Sequence, residues 1–152
     1  MKTIGYMRDE NGDFHGKEKA IKKFARNNEL VLDEIYAEKS GCEIEELAVL
    51  NQVIDKYENI ILLVSDISDV FECDEYILIA NRLYEKGILL IDTGIPSLMY
   101  EDILEKPNRN PNDFLQTALL ISTKAYMRKV NNNNDPISFD IRSRISCWKE
   151  SR

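Results

Sequence analysis

Apolar positions along the chain switch repeatedly between a helical spacing and short unbroken runs. Thr3 to Met7 is a short apolar strand, and Lys17 to Asn28 follows with Ala20, Ile21, Phe24 and Ala25 on one helical face and charged residues on the other. Leu30 to Tyr36 reads as a second strand, Ser40-Gly41 as a turn, and Glu43 to Lys56 as a helix buried through Leu47, Leu50, Val53 and Ile54. Asn59 to Val64 contains the uninterrupted run Ile60-Ile61-Leu62-Leu63-Val64, the signature of a central parallel strand covered on both faces. A helix over Asp74 to Lys86, stopped by Gly87, leads to a fourth strand at Ile88 to Ile91. Strands alternating with helices predict an α/β fold, a three-layer sandwich with a mostly parallel central sheet.

Beyond the fourth strand the pattern loosens into the polar connector Lys106-Pro107-Asn108-Arg109-Asn110-Pro111. Asn110 with Pro111 is a good helix start. A long helix over 112–130 is expected, with Phe114, Leu115, Ala118, Leu119, Ile121, Ala125, Tyr126 and Val130 forming an apolar surface wide enough for the body and a second chain. Asn131 to Pro136 ends it, and a short helix around Ile141, Ile145 and Trp148 is the last element. Three parts result: an α/β domain over 1–106, a connector and long dimerisation-type helix over 107–134, and a short tail over 135–152.

The 152 residues, 43% hydrophobic and 31% charged, suit one soluble globular domain. No stretch reaches the roughly 20 apolar residues that span a bilayer, and the N-terminus has no signal-peptide pattern, so a cytoplasmic protein without membrane attachment is expected. Cys42, Cys73 and Cys147 are odd in number and widely spaced, which indicates neither a disulfide framework nor a zinc site. The net charge of −7 is unevenly placed: residues 1–111 hold 13 Lys/Arg against 23 Asp/Glu, and residues 112–152 hold 7 against 4. An acidic body repels phosphate backbones, so any DNA contact falls to the C-terminal quarter, where Lys124, Arg128, Lys129, Arg142, Arg144 and Lys149 are the candidates.

Three ordered blocks carry a family resemblance. Tyr6-Met7-Arg8 is similar to the Tyr-x-Arg signature that opens the catalytic domain of serine recombinases of the resolvase/invertase family. Tyr36-Ala37-Glu38-Lys39-Ser40-Gly41 resembles that family's second strand ending in Ser-Gly, and Leu62-Leu63-Val64-Ser65-Asp66 resembles the third strand leading to an Asp-Arg pair. The resemblance covers about residues 3–130. It implies a resolvase catalytic-domain fold and, in active members, a serine that attacks a DNA phosphodiester while arginines stabilise the phosphoryl oxygens.

Residue by residue, Arg8, Ser40 and Asp66 match the pattern, whereas Glu10 stands where the nucleophilic serine belongs. The arginine expected after Ser40-Gly41 falls on Glu45 or Glu46, and the two expected after Asp66 fall on Ile67 and Val70. Each missing donor costs on the order of 10²–10³ in rate. The resemblance therefore implies a remnant pocket of Arg8, Glu10, Ser40 and Asp66 with no active catalytic residue, in a protein that self-associates through the 112–130 helix. Family members continue into a helix-turn-helix DNA-binding domain, for which Ile137 to Arg152 is too short. The expected role is a protein-interaction or regulatory module of mobile-element or prophage origin, with an unidentified protein partner and no cofactor.

Two other readings remain open. One is a structural or DNA-binding accessory subunit in site-specific recombination. The other brings Asp9, Glu10, Asp13, Asp66 and Asp69 to one sheet edge as a Mg²⁺-binding or receiver-like acidic pocket, with Thr93 and Lys106-Pro107 superficially in place. The 56-position spacing from Glu10 to Asp66 suits a recombinase better than a receiver. His15 has no evident partner and is expected to be an exposed loop residue, and Ser40, Ser65 and Ser68 are expected to form turns. Cys73 before Asp74 is expected to enter a helix, and Trp148 with Ile141 and Ile145 either packs on the body or docks elsewhere.

Overall fold

In the computed structural model, β1 (Thr3–Asp9), β2 (Leu32–Lys39), β3 (Ile61–Val64) and β4 (Leu89–Asp92) form a four-stranded sheet in the order β2-β1-β3-β4, every pair parallel. The structure describes residues 1–39, 47–71, 75–94, 145–146 and 149–150, with the side chains of Tyr76 and Ile77 excepted. The helices are α1 (His15–Asn27), α2 (Ala48–Lys56), α3 (Ser68–Phe71) and α4 (Tyr76–Glu85). The α/β class and the parallel sheet match the sequence reading; the 112–130 helix lies outside the described residues.

The period-2 alternation of side chains divides the core into two layers. Ile4, Tyr6, Leu62, Val64 and Leu90 face one side, packed with Leu50, Val53, Ile54, Val70, Ile79 and Leu83 of the helices there. Met7, Ile61, Leu63, Leu89 and Ile91 face the other, with Ile21, Phe24 and Ala25 of α1 and with Ile145. Gly5 lies under α1. A β-carbon there would stand 3.1 Å from Ile21 Cγ2 and 3.2 Å from Ile35 Cγ1, so a larger residue would push the helix off the sheet. The two layers with the sheet between them make the predicted sandwich.

Several element boundaries differ from those predicted, each for a local reason. α1 starts at His15 rather than Lys17, because Phe14 packs against the core and its carbonyl accepts the Glu18 amide at 2.8 Å. His15 is therefore the exposed first residue of a helix and not part of a loop. β2 starts at Leu32 rather than Leu30: Glu29 takes a positive φ of 57°, and the Leu30 amide returns to the Ala25 carbonyl at 2.8 Å in a Schellman-type cap. The strand then runs to Lys39, past the predicted Tyr36. Gly87, at φ 64°, closes α4 in the same way, with the Ile88 amide bonded to the Leu83 carbonyl. The helix α3, absent from the sequence reading, is a four-residue turn nucleated by Asp66, whose Oδ1 accepts the Ser68 amide at 2.9 Å.

Candidate functional site

The carboxyl ends of parallel strands are where α/β folds place their ligand chemistry, and β1 delivers the signature residues there. Tyr6 is fully buried, and its Oη donates a 2.6 Å hydrogen bond to Glu38 Oε1 on the neighbouring strand. Burial, reinforced by Glu38, pushes the Tyr6 phenol well above its usual range. Glu38 is itself buried and accepts the amides of Val49 and Leu50 at 3.0 and 3.2 Å, so it caps α2 across space. The helix has no side-chain cap of its own. A carboxylate at a helix N-terminus is stabilised by the macrodipole as well as by these bonds.

Arg8 follows, half-buried, paired in register with Glu38. Its carbonyl accepts a short hydrogen bond from Lys17 Nζ on α1, and its amide approaches Asp69 Oδ2 at 3.4 Å. The same Lys17 ammonium bonds Asp69 Oδ1 at 2.7 Å. Lys17 thus ties α1, β1 and α3 together at the mouth of the sheet. Burial raises the Asp69 carboxyl above its ordinary value, with the Lys17 hydrogen bond and charge pulling the other way. Asp9 turns to its own loop, accepting the amides of Asn11 and Asp13 at 2.9 and 3.0 Å, and these backbone donors hold it below the usual carboxylate range. Buried Asp92, ending β4, accepts the Ile67 and Gly94 amides at 3.1 and 2.8 Å.

Of the four remnant-pocket residues, Arg8, Glu10 and Asp66 fall at this end of the sheet, Glu10 and Asp66 both exposed. Ser40 lies outside the described residues, as do Glu45, Glu46, the dimer-helix positions Phe114, Leu115, Ala118, Leu119 and Tyr126, and the basic residues Lys124, Arg128, Lys129, Arg142 and Arg144. Lys149 is described and exposed. Ile67 and Val70, which fill the arginine positions, are buried in the core between sheet and helices. Ser68 forms the expected turn on Asp66.

The acidic set is not gathered as a cation site among the described residues. No three His, Cys, Asp or Glu side chains are close enough to share an ion there. Asp9 and Asp66 are engaged by backbone amides and Asp69 by Lys17. Sequence reasoning passed over Lys17, Glu38 and Asp92. Lys17 looked like one of many solvated charges on α1. Glu38, in register with Arg8 on the neighbouring strand, read as half of an ordinary cross-strand charge pair.

The fold has a solved counterpart. The crystal structure of the N-terminal catalytic domain of TP901-1 integrase superposes with a TM-score of 0.53 at 14% identity, covering 86% of this chain and 98% of that one. The chain has a recombinase-type catalytic-domain fold. The sequence motifs implied that fold, and the structural likeness extends to the fold alone. No family model matches the sequence, and no curated protein does. No helix among the described residues is long and apolar enough to cross a membrane.

Proposed function

We propose that this chain is a recombinase-like protein that does not cut DNA and serves as a protein-interaction or regulatory module, self-associating through the 112–130 helix. The observation that carries the reading is the burial of Ile67 and Val70 in the core beneath the carboxyl ends of the strands. A phosphoryl-transfer site needs guanidinium forks aimed at the phosphate oxygens, and these two positions have been given over to packing. Glu10 at the nucleophile position supplies an anion in place of a hydroxyl, and exposed Asp66 deepens the negative field that an incoming phosphodiester would meet. The Lys17 ammonium at this end of the sheet is held by Asp69 and the Arg8 carbonyl.

The test pairs a supercoiled-plasmid nicking assay with fluorescence-anisotropy binding to a mixed duplex DNA pool at low and high salt. The proposal expects no nicking and no binding at either salt. Binding that collapses as salt rises favours the accessory-subunit reading, with exposed Lys149 among the contacts. A covalent protein–DNA product would overturn the loss of chemistry.

A further inference from the structure

The cations of the acidic body are concentrated on one helix. α1 carries five of the 13 Lys/Arg in residues 1–111 and one of the 23 Asp/Glu. Ile21, Phe24 and Ala25 are buried against the sheet, so the opposite face of α1 points outward. Lys19, Lys22, Lys23 and Arg26 recur on that face at i, i+3, i+4 and i+7, and all four are exposed. Among the described residues Lys22 pairs with Glu18 at 3.0 Å, and no carboxylate pairs with Lys19, Lys23 or Arg26. Like charges three and four positions apart repel along a helix. A solvated helix face commonly interleaves the two signs and avoids this; the outward face of α1 does not. Exposed Glu10 and Asp13 precede the helix and exposed Glu29 follows it, so the basic surface ends where α1 ends.

We infer that this outward stripe of α1 is a docking surface for an acidic helix of a partner protein, an inference that rests on the reading of the chain as a protein-interaction module and names the kind of partner. The fit is one of charge and of length. Lys19 to Arg26 span about 10 Å of helix axis. A second helix with Glu or Asp at i, i+3, i+4 and i+7 presents its carboxylates at the same rise, so cations and anions meet one after another. Such a helix relieves the repulsion among the four cations and is short enough to stop before the acids at either end. A nucleic-acid duplex instead carries its charges on past α1, one for every ~1.7 Å of axis, and meets Glu10 and Asp13 on one side and Glu29 on the other. The acidic surroundings thus select a short acidic segment over a long polyanion. Exposed ion pairs are individually weak, so docking is of modest affinity and sensitive to salt.

The experiment uses the full chain and two fluorescent alanine–glutamate peptides of about 16 residues, long enough to be partly helical. One has its glutamates on a single helical face; the other has the same composition with the glutamates spread around the helix. Anisotropy at low salt is expected to show binding of the one-faced peptide in preference to the spread one, lost as salt rises. The triple variant Lys19→Ala, Lys23→Ala, Arg26→Ala binds it at least about tenfold more weakly. Alanine is the best helix former, so α1 is kept and circular dichroism is unchanged. Lys2→Ala, at an exposed lysine outside the stripe, binds as wild type. No binding at low salt, equal binding of the two peptides, or equal binding by wild type and the triple variant overturns the proposal. A short DNA duplex run in parallel decides the alternative: a duplex bound more tightly than the peptide and lost in the triple variant makes the stripe a nucleic-acid face and overturns it. Peptide binding lost in the triple variant supports the docking surface even beside duplex binding that the triple variant leaves untouched, and that duplex result counts against the reading that the chain does not bind DNA.

Discussion

Tyr6 Oη and Glu38 Oε1 share a 2.6 Å hydrogen bond inside the protein, and the same carboxylate accepts the amides of Val49 and Leu50. One acid therefore joins β1, β2 and the start of α2. Tyr6→Phe removes a bond to a charged group and is expected to cost about 1.5–3 kcal/mol. Glu38→Ala strands the phenol and two helix amides together and costs more than Tyr6→Phe. Urea unfolding of the two variants checks both, and a Glu38→Ala loss smaller than that of Tyr6→Phe would refute the capping role.

The Lys17–Asp69 pair gives a pH-dependent prediction. Burial already lifts the Asp69 carboxyl above its ordinary value of 3.8, and Lys17, with the Arg8 amide, restrains that rise. Lys17→Met lets it rise further. A carboxyl with a raised folded pKa contributes stability that is intact below the unfolded value and lost as pH rises through the folded one. The penalty of Lys17→Met is thus small in acid and develops above about pH 4. At neutral pH it reaches ~1–3 kcal/mol, less than for a fully buried pair because the ammonium is partly solvated. Equal destabilisation at acid and neutral pH, measured by thermal melts, would contradict this account.

The pattern of apolar residues made the sheet legible before any geometry. The run from Ile60 to Val64 admits a strand covered on both faces and little else, and Gly87 marks the end of α4 by its chemistry. The start of β2 was misplaced because Leu30, an apolar residue beside a strand, serves instead to close the cap of α1. The four residues of α3 are too few to show a period. At the site, the signature residues Tyr6, Arg8 and Asp66 were readable from their order along the chain. The through-space partners Lys17 and Glu38 were not, because each bonds to atoms 9 to 52 residues away, and no local pattern records such a distance.

Self-association is proposed to run through the apolar positions of the 112–130 helix, among them Phe114, Leu115, Ala118, Leu119 and Tyr126. A charge in the middle of that surface must be desolvated whenever two copies meet. Leu119→Asp, or Leu115→Asp, is expected to convert a dimer to a monomer in light scattering while the circular dichroism of the α/β body is unchanged. A mass unaffected by either substitution would remove the helix from the interface.

Restoring the missing nucleophile separates loss of one residue from loss of a whole site. Glu10 is exposed, so Glu10→Ser is expected to change stability by no more than about 0.5 kcal/mol. It nevertheless restores no plasmid nicking, since Arg8 would face the phosphoryl oxygens without the guanidinium donors whose positions Ile67 and Val70 fill. Adding the donors is blocked from the other direction. Val70 is fully buried among Leu50, Ile79 and Leu83 in the same apolar layer, and Val70→Arg would force an ionised group into it at a cost above about 4 kcal/mol. Recovery of cleavage in Glu10→Ser alone, seen as a covalent protein–DNA adduct, would show that the present site retains its phosphate grip and that only the nucleophile was lost.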